Sequence, residues 1–273
     1  MNARSWELSE PQTLDLEGIS SLSLRTIGGR FDVIAHEDPQ EQVLRLTLTD
    51  LEGDPLTVVQ EGTQCEIRQG NHDVARWFTG QGVMDGTNRV VLTLLVPQGT
   101  RTEAGTVSAD GLVTGIHAPV RISSVTGSII SDSTRGQLGV NTASGEAIVR
   151  NHQGPLSLNS VSGEMTASGA FTEVRVNTAT GDISLDCVGA IERVQSTSAS
   201  GNLLLRLPAE QGVDLSVTTV SGAISVNAES FRVLGFTRRS FSPTANLQDS
   251  PPPARVQATS VSGSVSIINR TGA

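Results

Sequence analysis

Val140-Asn141-Thr142-Ala143-Ser144-Gly145 is followed at a fixed distance by Leu158-Asn159-Ser160-Val161-Ser162-Gly163. Val176-Asn177-Thr178-Ala179-Thr180-Gly181 follows at the same distance again. The three glycines stand 18 residues apart, and looser copies end at Gly111, Gly127, Gly201, Gly222 and Gly263. A fixed period of this size marks a repeat architecture, in which each copy buries its apolar face only against its neighbours.

Counting from each glycine, apolar residues recur five positions before it, at Ile122, Val140, Leu158, Val176 and Val217. They recur two positions after it, at Ile129, Ala147, Met165, Ile183, Leu203, Ile224 and Val265, and again four after it, from Val149 to Ile267. Small apolar residues also recur two before it, at Val125, Ala143, Val161, Ala179, Ala199, Val220 and Val261, and these are expected to face inward with the rest. Period-two alternation on both sides of a glycine means two strands joined by a bend. When copies stack, like columns meet at a spacing of ~4.8 Å. The fold class is therefore all-β, a single-stranded β-solenoid with about 18–21 residues per coil. Gly127, Gly145, Gly163, Gly181, Gly201, Gly222 and Gly263 are its structural turn glycines. The Ser/Thr residues just before them are expected to hydrogen-bond from coil to coil. Asn141, Asn159 and Asn177 are expected to stack as an amide ladder.

The rest of the chain is organised around this repeat. Residues 1–18 form a polar N-terminal segment, and residues 19–100 an irregular β-rich cap or first coils. Within the latter, Ile27-Gly28-Gly29-Arg30 reads as a hairpin turn between alternating stretches. Gly70–Asn88 reads as a loop that carries Trp77 and Phe78. The repeats occupy residues 101–273, with an excursion at about 228–254 where the glycine spacing jumps from 21 to 41 residues. Pro251-Pro252-Pro253 cannot donate to a ladder, which supports that excursion. Arg238, Arg239 and Phe241 lie in it and, with Trp77 and Phe78, are the candidate binding residues. The final coil, around Val261–Ile268, would present an unpaired edge and self-associate there unless 228–254 folds over it.

Composition narrows the function classes. The formal charge is −9 and every basic residue is arginine, which disfavours nucleic acid as a partner. No run approaches the ~18 apolar residues of a membrane span, and the N-terminus has no apolar signal core. The sequence as written reads as cytoplasmic. Cys65 and Cys187 stand far apart, without disulfide or metal-ligand spacing, and read as buried thiols. His36, His72, His117 and His152 are scattered, and there is no H-E-x-x-H or G-x-S-x-G element. Glu146, Glu164 and Asp182 follow successive glycines and form one acidic row, read as solvated edge charge. These features point to no catalytic residue, no metal and no cofactor.

The pattern V-x-[ST]-x-[ST]-G-x-[IL]-x-[VL] at Val140–Val149, Val176–Leu185, Val217–Val226 and Ser260–Ile267 resembles the bacterial "putative adhesin" family of unknown function. Ile27–Val33 and Val96-Pro97-Gln98-Gly99 share the resemblance. It implies a β-solenoid and a role at the cell envelope or in assembly, and it supplies no catalytic residues. Three functions stand beside one another. The first is a non-enzymatic scaffold or assembly protein that forms oligomers. The second is a module that binds a glycan or another envelope component. The third, the weakest, is a β-helical polysaccharide lyase or hydrolase built on the acidic row.

Overall fold

The computed structural model describes residues 3–70, 88–227, 229–242 and 250–270, with 231–234 as backbone. All regular structure in it is β-strand. The chain divides into two compact units, Met1–Glu146 and Ala147–Ala273.

The first unit contains β1 (Arg4–Leu8), β2 (Gln12–Glu17), β3 (Ser21–Thr26), β4 (Gly28–Ala35), β5 (Val43–Glu52) and β6 (Leu56–Glu61). It continues with β7 (Gln64–Gln69), β8 (Arg89–Val96), β9 (Arg101–Thr106), β10 (Asp110–Thr114), β11 (Val120–Ser124), β12 (Ile129–Asp132) and β13 (Leu138–Thr142). Parallel pairing at the repeat distance builds its centre: Val120 lies opposite both Thr102 and Leu138, and Gly111 opposite Ile129. The expected hairpin at Ile27–Arg30 does not form. β3 pairs in parallel with β7 and β9, and β4 with β8 and β10, so the two are successive strands of one coil. Their alternation is equally compatible with either arrangement, and only long-range pairing decides between them. On the far side of β7 and β8 the pattern turns antiparallel. β6 pairs with β7 and β5 with β8, then β1 pairs with β6 and β2 with β5. The polar segment 1–18 thus supplies two end strands. Arg45 holds Asp15 of β2 through two hydrogen bonds of 2.8 and 2.9 Å, and this lowers the carboxyl pKa of Asp15.

The second unit contains β14 (Ala147–Ser160), β15 (Met165–Thr180), β16 (Ile183–Cys187), β17 (Arg193–Ser200) and β18 (Leu203–Leu207). It ends with β19 (Val213–Val226), β20 (Glu229–Phe241), β21 (Ala254–Ser262) and β22 (Val265–Asn269). Met165 lies opposite Ile183, and Ile183 opposite Leu203, in parallel. The last strands in sequence are not last in space. β21 lies between β17 and β19, and β22 between β18 and β19. The predicted open edge at Val261–Ile268 is therefore corrected, because both edges of that coil are paired. β19 lies outside it, and β20, from the segment expected to leave the stack, runs antiparallel along the outer side of β19.

The columns five before, two after and four after the glycines are buried, as at Val140, Ile183 and Leu205. The column two before them is corrected: Val161, Val220 and Val261 are 57–66% exposed. Three residues separate this column from the buried one five before the glycine, and an odd step along a strand changes face. The residue that points inward is instead the Ser/Thr three before the glycine, as at Ser124, Thr142 and Ser160.

Candidate functional site

Each corner is built from a Ser/Thr and a glycine three residues on. Ser124, Thr142 and Ser160 accept a hydrogen bond from the backbone N–H of Gly127, Gly145 and Gly163 at 3.0, 2.9 and 2.8 Å. Each hydroxyl donates in turn to the carbonyl of the same glycine at 3.2–3.3 Å. The corner is closed by its own side chain, which satisfies a buried polar group locally. The recurrence of Ser/Thr three before each glycine is visible in the sequence, but its part in closing the corner is not.

Later corners in the second unit are wired differently. The N–H of Gly181 goes to the carbonyl of Ser200, and that of Gly263 to the carbonyl of Ser221, each at 3.3 Å. The hydroxyls of Thr178, Ser198, Thr219 and Ser260 are left buried and without hydrogen-bond partners. Pairing places these four side by side, Thr178 opposite Ser198, Ser198 opposite Ser260, and Ser260 opposite Thr219.

The next residue on each strand faces outward. Ala179, Ala199, Val261 and Val220 therefore form one stripe across β15, β17, β21 and β19, with exposed Val161 just past the end of β14. Ala179, Ala199, Val261 and Val220 floor an open groove of about 930 Å³, flanked by Asn159, Asn177 and the outward threonines Thr197, Thr218 and Thr259. Asn177 donates its amide to Asn159 Oδ1 at 2.9 Å, which fixes this wall as a rung of the expected ladder. In the first unit Asn141 donates to the Ser123 hydroxyl at 3.3 Å. The groove surface is made of methyl and methylene groups, because the Ser/Thr hydroxyls beneath it are buried. Gly235 of β20 closes one end, and Phe236, opposite Thr218, is 69% exposed beside it.

The candidate residues from the sequence fall in different places. Arg238 and Arg239 are exposed and Phe241 is half-buried, on β20 three to six residues beyond Gly235, and none of them lines the groove. Trp77 and Phe78 lie outside the described residues. Glu164 and Asp182 line a second, polar groove of about 460 Å³ with Ser162, Thr180, Ser200, Asn202 and Ser262. Asp182 uses Oδ1 to accept from the Asn202 backbone N–H at 2.8 Å and its side-chain amide at 3.1 Å, so this part of the acidic row caps the neighbouring strand. Among the described residues no three His, Cys, Asp or Glu side chains are grouped to hold a metal ion. Cys65 and Cys187 are buried and unpaired, and burial pushes both thiols up to about 12.

An all-β chain of parallel stacked strands cornered at Ser/Thr–Gly loops is a solenoid-like class of fold. The chain matches the family described as Toastrack DUF4097 over residues 34–271, and it belongs to that family. Among solved structures it is similar to a protein from Parabacteroides distasonis described as a "putative lipid binding protein". That similarity has 14% identity, 97% of this chain and 98% of the other covered, and a TM-score of 0.51. It is also similar to a "putative adhesin" from the same organism, at 12% identity, 97% of each chain covered and a TM-score of 0.49. A "putative adhesin" from Bacteroides fragilis gives 12% identity, 96% and 98% coverage and a TM-score of 0.43. At these identities the likeness concerns the fold. No curated protein matches the sequence. Among the described residues no helix is long and apolar enough to cross a membrane.

Proposed function

We propose that this chain is a non-enzymatic scaffold or assembly protein associated with the bacterial cell envelope, built as a single-stranded β-solenoid of about 18–21 residues per coil. The observation that carries the reading is the use of the repeated polar groups. The Ser/Thr hydroxyls of the first corners close their own glycine loops, Asn177 bonds Asn159, and Asp182 caps the next strand. Like groups at successive levels form ladders, whereas catalysis brings unlike groups to one point. Sedimentation of the full chain over a wide concentration range tests the reading. Reversible association supports it, and a strict monomer throughout counts against assembly.

A second reading, a module that binds an envelope component, is favoured by the apolar groove. Its volume of about 930 Å³ falls in the ~300–1,000 Å³ range of small-ligand sites. A stripe one small side chain wide suits an acyl chain better than a sugar ring, which prefers aromatic platforms. Arg238, three residues beyond the end that Gly235 closes, would favour an anionic head. The glycan form of this reading rests on Trp77 and Phe78 instead. Displacement of a fluorescent fatty acid by palmitate, lost in Val261→Asp, would support the acyl-chain reading. Equal probe fluorescence in both proteins would reject it.

A further inference from the structure

We propose that the inserted coil, β21 with β22, is an exchangeable element: it leaves its slot and enters the same slot of a second copy, joining the two chains. This rests on the scaffold reading above and names the element that joins copies. Coil and slot both belong to the second unit.

Pairing defines the slot. β21 lies between β17 and β19, and β22 between β18 and β19. The two walls carry matching columns. Val256 is opposite both Val194 and Leu215, Ala258 opposite Ser196 and Val217, and Ser260 opposite Ser198 and Thr219. Val265 is opposite both Leu203 and Ile224, and Ile267 opposite Leu205 and Val226. With the coil removed, the walls meet in register: Val194 faces Leu215, Ser198 faces Thr219, and Leu203 faces Ile224. All these pairings are parallel, so no strand has to turn over. The coil therefore departs without leaving the core open, because β19 closes onto β17 and β18. One sequence then has two packings that differ by a single inserted coil, which is the form of a strand-insertion switch.

The corners at this slot are the unlatched ones. The hydroxyls of Ser198, Ser260 and Thr219 flank its two seams and are buried without hydrogen-bond partners. The Gly263 N–H reaches across one seam to the Ser221 carbonyl at 3.3 Å, longer than an ordinary N–H···O bond. The first corners of the chain, closed by their own Ser/Thr, have no such deficit. The slot is nonetheless selective for this coil. Asn269 donates to the Pro208 and Gln211 carbonyls, each at 2.8 Å, and exchanges two bonds with Asn227 at 2.8 and 3.1 Å. Gln195 donates to Gln257 at 3.1 Å, and Arg270 to Asp186 at 2.6 Å. Each of these runs between coil and slot. A coil from a second copy remakes all of them, so exchange sacrifices no contact.

The connection is long enough. Phe241 and Ala254 both lie opposite Val213, on its two sides, so about 10 Å separates them. Residues 242–253 join them, and a connector of that length spans up to ~40 Å. The same tether holds a chain's own coil near its slot at an effective concentration on the order of mM. Exchange therefore competes where copies are crowded, as they are within an assembly.

Ser196→Cys and Ala258→Cys, made in separate full chains that also carry Cys65→Ala and Cys187→Ala, test the proposal. The two positions are buried and directly opposite, at the ~4.8 Å strand spacing that a disulfide bridges. Buried positions do not meet when intact copies collide. Mixed at high concentration with glutathione disulfide, the variants should give a covalent dimer that holds one of each. Its yield should rise with concentration, and neither variant alone should give it. A chain that carries both substitutions should close the same bond within itself when dilute. If that bond closes and the mixture gives no dimer, exchange is overturned. The scaffold reading then stands if the unmodified chain still associates on sedimentation, and a strict monomer removes both. Hydrogen exchange of the unmodified chain is the second measurement. β21 and β22 should be protected at least about tenfold less than β15 and β16. Equal protection would overturn the proposal, since a coil that opens only with the whole unit is not exchanged separately.

Discussion

The carbonyl oxygen of Gly127 occupies the space in which a side chain on Gly145 would begin. The repeat glycine is needed here for close approach between coils, and its φ is not among the positive values. Gly145→Ala must push two coils apart, or distort a corner whose polar groups are already satisfied. We expect a loss of about 1–3 kcal/mol, as for overpacking of a close-packed interior. Urea unfolding of the full chain measures it. A loss under about 0.5 kcal/mol would mean that the corner yields easily.

Two threonines at equivalent corners should respond in opposite ways. Thr142 closes the Gly145 loop, and Thr142→Val strands that buried N–H at a cost of about 1–3 kcal/mol. Thr178 has a buried hydroxyl without a partner, so the isosteric Thr178→Val should be neutral or stabilising. Paired melting curves decide the matter. Equal destabilisation by both would show that Thr178 finds a partner in solution.

The period, the corner glycines and the inward columns were legible because they depend on local spacing. Val140 and Leu205 are buried where alternation puts them. The order of coils was not legible. Nothing near Val261 says that its strand is inserted between Ala199 and Val220, because parallel partners are chosen by long-range packing. The same limit hid the separation of β3 from β4. The groove was missed for a different reason. Small apolar residues at a regular position look like core, and only the odd step from Val217 to Val220 shows the change of face.

That change of face has its own test. Val217 is buried, and Val217→Ala should cost about 2–3 kcal/mol through lost contacts and a residual cavity. Val220 is 66% exposed on the groove floor, and Val220→Thr should change stability by no more than about 0.5 kcal/mol. Thermal denaturation of both variants is the measurement. A large loss at Val220 would place it in a packed interface, in which case sedimentation should show the variant dissociating.

The thiols give the molecule an alkaline limit. Burial, with lesser contributions from Glu66 at Cys65 and from Asp186 at Cys187, raises both from an ordinary 9.0 to about 12. Below pH 9 each thiol is protonated in the folded and the unfolded chain, so stability there does not depend on it. Between 9 and about 12 the unfolded chain releases protons that the folded chain retains. Stability should therefore fall by up to about 1.4 kcal/mol per pH unit for each thiol. Unfolding free energy measured from pH 7 to 11 should be flat and then decline, and Cys65→Ala with Cys187→Ala should flatten the decline. Rapid labelling of the folded chain by a thiol reagent at pH 8 would show instead that the sulfurs are reachable.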